Sequence, residues 1–249
     1  MIFRQLFEPD SSTYTYLVAD PETGEAALID PVLDTAERDA KVLQEMGLKL
    51  AYTIDTHVHA DHLTGARRLK SMLGSKIVYP EKAKFECVDI GIEEGQAFRI
   101  GNIELYGLYT PGHTDHHFAY LIDNGTQKMA FTGDALLIDA CGRTDFQSGD
   151  SRTLYRSITQ KLFTLPDETL VYPAHDYEGR FVSSIAQEKK RNPYLAGKSE
   201  EEFVEIMENL NLPYPRKIDF AVPGNEQCGV CPDDVPEEYR KPCEAHDQG

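Results

Sequence analysis

Four side chains able to hold a metal ion fall within six positions of this chain: His57, His59, Asp61 and His62. They follow directly on Lys49–Ile54, an apolar run of strand-like residues. Behind them Thr64–Leu73 repeats its apolar residues at helical spacing until Gly74 stops it. A His-x-His-x-Asp-His set on a strand-to-helix loop brings several imidazoles and a carboxylate toward one point, which is the work of a metal site. The chain therefore has to present the end of a buried strand rather than cover it.

Three further donors also close apolar strands. His113 sits in Thr110-Pro111-Gly112-His113-Thr114, where Pro and Gly make a tight turn. Asp134 ends Phe131-Thr132-Gly133-Asp134, and His175 ends Val171-Tyr172-Pro173-Ala174-His175. Carboxyl ends of strands are where open α/β sheets carry functional groups. Each residue taken singly fits a structural role. Together the seven call for metal, and they suffice for one ion or for two.

Around these donors the chain alternates. Phe3–Glu8, Thr13–Ala19 and Glu25–Asp30 read as strands separated by turn residues. Asp34 with Glu37 has capping-box spacing ahead of a helix that Gly47 ends. Lys76–Tyr79, Ala97–Ile100, Ile103–Tyr109, Phe118–Ile122, Lys128–Thr132 and Thr169–Tyr172 read as strands, with an Asn124-Gly125 turn. Asp150 or Ser151 caps a helix that buries Leu154, Ile158 and Leu162, and helices follow at Gly179–Lys190 and Ser199–Leu210. The order is met by two sheets with helices outside both. No domain boundary is visible before about residue 180.

The formal charge of −17 excludes nucleic acid and anionic membranes as partners. No apolar run approaches the ~18 residues that span a bilayer. The N-terminus lacks the zones of a secretory signal, so a cytoplasmic protein is expected. Five unevenly spread cysteines point to a reduced compartment rather than a disulfide framework, with Cys87 and Cys141 as small packed residues. Cys228, Cys231, Cys243 and His246 have the spacing of a small zinc site, and Cys228 with Cys231 that of a redox pair. His116 and His117 read as solvated or hydrogen-bonding loop residues.

The set His57, His59, Asp61, His62, His113, Asp134 and His175 resembles the metal signature of the metallo-β-lactamase superfamily over about residues 1–180. The resemblance implies an α/β fold, the αββα sandwich, with its metals at the edge between the sheets. The fold does not fix the reaction. Two families stand close: glyoxalase II, which hydrolyses glutathione thioesters with two metals, and the persulfide dioxygenases, which use one iron. Cys141-Gly142-Arg143-Thr144-Asp145-Phe146-Gln147 resembles the dioxygenases, as do Pro173–Tyr177 and the stretch Lys217–Asn225 with Cys228-Gly229. These extend the resemblance to residues 1–230, a catalytic domain, and leave 231–249 as a C-terminal tail.

On that resemblance one Fe(II) per chain is held by His57, His113 and Asp134. Two imidazoles and one carboxylate with positions left open suit an iron that binds O₂ beside a substrate. His59, Asp61, His62 and His175 then stand behind the ligands, orienting them and holding water. The implied reaction oxidises glutathione persulfide with O₂ to sulfite and glutathione. Glutathione carries carboxylates, and Arg143 is the first candidate to grip one, with Tyr177 and Arg216 as further substrate contacts. The alternatives are an Arg143–Asp145 salt bridge and a capping role for Tyr177. A binuclear hydrolase stays open, as does the oligomeric state, a homo-oligomer included.

Overall fold

Strands β1 (Ile2–Glu8), β2 (Thr13–Ala19) and β3 (Glu25–Ile29) pair antiparallel in chain order. The chain then changes mode. Helix α1 (Ala36–Glu45) leads to β4 (Lys49–Ile54), and α2 (Ala66–Leu73) leads to β5 (Lys76–Pro80). β4 lies parallel to both β3 and β5, an arrangement that requires a crossover on each side. With β6 (Ile90–Ile92) the sheet runs in the order β1-β2-β3-β4-β5-β6. The apolar faces of α1 and α2 meet this sheet through Ala36, Leu43, Leu69, Leu28 and Leu50.

A second sheet runs β12-β11-β10-β9-β8-β7. β7 (Ala97–Ile100), β8 (Ile103–Tyr109), β9 (Phe118–Asp123) and β10 (Lys128–Gly133) come first. The crossover from β10 to its parallel neighbour β11 (Leu170–Pro173) carries α3 (Ser151–Gln160). The short β12 (Ser183–Ser184), α4 (Ile185–Arg191) and α5 (Glu200–Glu208) follow. Leu154, Ile158 and Leu162 are fully buried, with Phe203 of α5 packed among them. Helices α6 (Ile218–Asn225) and α7 (Lys241–Glu244) close the order. This computed structural model describes residues 1–244. The chain forms two compact units, one of Met1–Gly91, Ile100–Asn102 and the chain from Tyr214, the other of Ile92–Arg99 and Ile103–Pro213.

Most element ends fall where the sequence places them. Asp150 accepts a 2.7 Å bond from the Thr153 N–H, and Ser199 and Glu202 form a reciprocal capping box. Two expectations fail. Leu33–Thr35 is a 3₁₀ turn, and Thr35 precedes α1 with no side-chain cap bond, so Asp34 and Glu37 form no box. The helix expected from Gly179 begins at Ile185, because Ser183 and Ser184 pair with β11 first.

The cysteine reading is also corrected. Cys87 is joined to Cys228 and Cys231 to Cys243, leaving Cys141 as the free thiol. Cys87 is not merely a packed residue. The proposed zinc set loses three of its thiolates to these bridges, and its fourth member, His246, lies outside the described residues. Four cysteines in disulfides also remove the argument for a reduced compartment. Among the described residues no helix is long and apolar enough to cross a membrane.

Candidate metal centre

In the first unit the loop after β4 carries His57, His59, Asp61 and His62. The His57 and His59 ring centroids are 4.1 Å apart, and those of His59 and His62 are 4.4 Å apart. All three imidazoles are buried. Their orientation is set by Asp30, which directly follows β3 and sits at φ +50°. The Asp30 carboxylate accepts from the Thr56 N–H at 2.7 Å and from the Thr56 hydroxyl at 3.0 and 3.1 Å. With its proton given to Asp30, that hydroxyl accepts from His57 Nδ1 at 2.8 Å. His57 therefore carries its proton on Nδ1 and its lone pair on Nε2.

His59 has the opposite polarity. Its Nε2 donates to Asp30 at 3.2 Å, and its fully buried Nδ1 makes no hydrogen bond. A second carboxylate, Asp55, stands 3.8 Å from His59 Nε2 and accepts from the Thr64 hydroxyl. Burial pushes the Asp55 carboxyl up to about 8, against the pull of the His59 charge. Burial opposes charging His59, but Asp30 and Asp55 outweigh it and lift the imidazole to about 9. His62 Nδ1 is 3.0 Å from the Asp61 carboxylate.

In the second unit β10 and β11 lie side by side and parallel. Asp134 and His175 come one or two residues beyond their carboxyl ends, so the ladder itself brings them together. His175 Nε2 is 3.5 Å from Asp134 Oδ1. His113 Nε2 is 3.5 Å from Asp134 Oδ2. The other His113 nitrogen donates to the Arg143 carbonyl at 2.7 Å, which again leaves the lone pair on Nε2. The turn presenting His113 rests on α3. Gly112, at φ +130°, accepts from the Asp150 N–H, and the Ser157 hydroxyl donates to Pro111. A Cβ at Gly112 would overlap the Leu154 backbone at 2.2 Å.

Of the two roles read for His117, the hydrogen-bonding one holds and the solvated one does not. This histidine is fully buried, accepts from the Asp134 N–H at 3.1 Å and donates through Nδ1 to Thr110. His116 pairs with Asp115 at 2.9 Å. Arg143 adopts the salt bridge weighed as its alternative: Nε and Nη2 reach Asp145 at 2.6 and 2.7 Å, and Nη1 donates to the Pro213 carbonyl. Its guanidinium also covers the Phe146 ring at 4.7 Å. Tyr177 stacks on His175 and is 72% exposed, and the helix that follows is capped by Ser184 instead. Arg216, in the first unit, is exposed at a cavity of about 640 Å³ lined by five carboxylates and three cations.

The donors fit a metal of borderline softness. Nitrogen and carboxylate oxygen predominate, the imidazole tautomers are fixed by oxygen acceptors, and an orphaned nitrogen is buried at His59. The model of the metallo-β-lactamase superfamily matches residues 9–175. A mitochondrial persulfide dioxygenase of Mus musculus is 50% identical over 230 residues, covering 92% of this chain and 89% of its own. The chain belongs to the persulfide dioxygenase family of the metallo-β-lactamase superfamily. The crystal structure of ETHE1 from Myxococcus xanthus agrees, with a TM-score of 0.88 and 52% identity over 92% of this chain and all of that one. A hydroxyacylglutathione hydrolase of Polaromonas is a more distant superfamily relative, 36% identical over 70% of this chain and 66% of its own. The chain is thus an enzyme, and its two-sheet α/β architecture is that of the superfamily.

Proposed function

We propose that this persulfide dioxygenase family member oxidises glutathione persulfide with O₂ to sulfite and glutathione, at one iron(II) held by His57, His113 and Asp134. The observation that carries the reading is the His113–Asp134 pair. An imidazole lone pair and a carboxylate oxygen converge to 3.5 Å, and the far side of the imidazole is locked by a carbonyl. The reading is supported by the half-identical persulfide dioxygenase of the mouse. An iron there would offer open positions for O₂ and a sulfur anion and also a redox couple, which zinc lacks.

The protein's part is positional. The Thr56 hydroxyl and Asp30 hold the His57 tautomer, the Arg143 carbonyl holds that of His113, and His117 fixes the Asp134 backbone. His59, Asp61, His62 and His175 orient these ligands and hold water. Arg143, Tyr177 and Arg216 bind the tripeptide of glutathione. Arg143 does so by exchanging Asp145 for a substrate carboxylate. Arg216 contributes less, since the acids around it repel that group. The residues 1–230 form the catalytic domain and 231–249 its tail.

A second reading has one observation in its favour. Asp134 stands between two imidazoles, 3.5 Å from each, as the shared carboxylate of a two-metal thioester hydrolase would. Metal analysis of protein purified without added metal separates the two. One iron per chain with persulfide-dependent O₂ uptake supports the dioxygenase. Two metals with thioester cleavage and no O₂ uptake overturns it. Asp134→Ala is expected to empty the iron site, and full iron retention would reject the ligand set.

A further inference from the structure

The metal loop is anchored by a residue 161 positions away in sequence. Asn225, the last residue of α6, is fully buried. Its side-chain N–H₂ donates to the carbonyls of His59 and His62, both at 2.8 Å. Its carbonyl oxygen accepts from the Thr64 N–H, also at 2.8 Å. Both hydrogens and the oxygen of one carboxamide are thus spent on the backbone of the loop.

The residues after Asn225 are held as tightly. Cys228 N–H returns to the Asn225 carbonyl, and Gly229 and Val230 both donate to Gly224. Cys228 takes φ +59°, and its carbonyl accepts from the Arg67 N–H in α2. At Gly229, φ +90°, a Cβ would come within 2.3 Å of the Thr64 carbonyl. Cys228 packs with Val58, Ala66, Ile77 and Tyr79, and its sulfur is bonded to Cys87 beyond β5. The loop that carries His57 is therefore fixed by a turn which is itself covalently tied down.

We propose that Asn225 is the positioning residue of the metal loop, and that the Cys87–Cys228 disulfide holds Asn225 in register with it. The proposal rests on the reading that this loop supplies a metal ligand. Asparagine is the side chain that fits. Aspartate has the same shape but no donor, and would set a carboxylate oxygen against two carbonyls. Glutamine is one methylene too long for the packed turn. Loss of contacts behind the ligands typically weakens metal binding 10- to 100-fold.

The test uses cobalt(II) as a coloured probe of the metal-free full-length chain. Asn225→Asp is expected to weaken cobalt binding about tenfold or more and to shift the visible bands, with the thermal midpoint measured alongside. A purely structural role would lower the midpoint and leave the bands in place. Cys87→Ser is expected to weaken cobalt binding in the same direction and by less. Hydrogen exchange of the Thr64 amide in the metal-free protein is expected to accelerate in both variants. A folded Asn225→Asp protein with wild-type cobalt affinity and bands overturns the role of Asn225. If that variant does not fold, Cys87→Ser decides: unchanged cobalt affinity and unchanged Thr64 exchange overturn the proposal. Failure of the wild-type chain to bind cobalt would instead reject the metal reading. Thr64 exchange would then still decide for or against Asn225.

Discussion

At Gly142 one methyl group would press on two of the proposed ligand residues at once. A Cβ there would lie 2.3 Å from the Asp134 carbonyl and 2.9 Å from His113 Nδ1, so either the loop or the imidazole must move. Gly142→Ala is expected to lower iron content several-fold, read by elemental analysis of the purified protein. Arg143 poses a different question, because Asp145 already satisfies it. If Arg143 grips a substrate carboxylate, Asp145→Asn removes its competitor and lowers KM, while Arg143→Ala raises KM with iron retained. A purely structural Arg143 would make both variants behave alike. At this scale the sequence showed the donors, since His57, His113, Asp134 and His175 each end a recognisable strand. It hid their partners. Asp30 ends a strand just as Asp134 does, so the same signal could have found it, but no role was read for it. The burial of His117 was not legible, because nothing local says that one of two adjacent histidines is buried.

Helix α1 carries a buried acid that its sequence presents as an ordinary surface residue. Asp39 is fully buried, and burial pushes its carboxyl up to about 6 despite the Arg38 guanidinium at 2.8 Å. A carboxyl that holds its proton more tightly folded than unfolded favours the folded state below about pH 4. That advantage is lost as pH rises to about 6. Leaving it charged at pH 7 costs on the order of 1–3 kcal/mol. Asp39→Asn is expected to be stabilised relative to wild type at pH 7, with the difference shrinking toward pH 4 in urea titrations. A pH-independent difference would show that Asp39 does not titrate this way. Elements with an amphipathic period and a local cap, α3 and α5 above all, were readable in advance. The turn before α4 was not, since Ser183 and Ser184 become a strand only by pairing with β11.

For the chain as a whole, the two disulfides close loops of very different size, 141 and 12 residues apart in sequence. The entropy that cross-linking removes from the unfolded chain grows with the logarithm of loop length. Breaking Cys87–Cys228 is therefore expected to cost about 2 kcal/mol more than breaking Cys231–Cys243. Cys87→Ser and Cys231→Ser compared in denaturant give this difference directly, and equal losses would contradict it. Neither bridge was legible, because cysteine count carries no pairing. The same limit hid Asn225, whose partners lie more than 160 residues upstream. Motifs announce donors, whereas the supports of a site come from chain segments that meet only in the folded molecule.

Asp134 and His175 hang from neighbouring parallel strands, so their spacing belongs to the ladder and not to the chain that links them. Parts of that link are still tied to the site: Gly142 donates to the Asp134 carbonyl, the Arg143 carbonyl accepts from His113, and Ser157 of α3 braces the turn before it. Only the stretches of the link that touch none of these groups are open to rewriting, while the ladder keeps Asp134 beside His175.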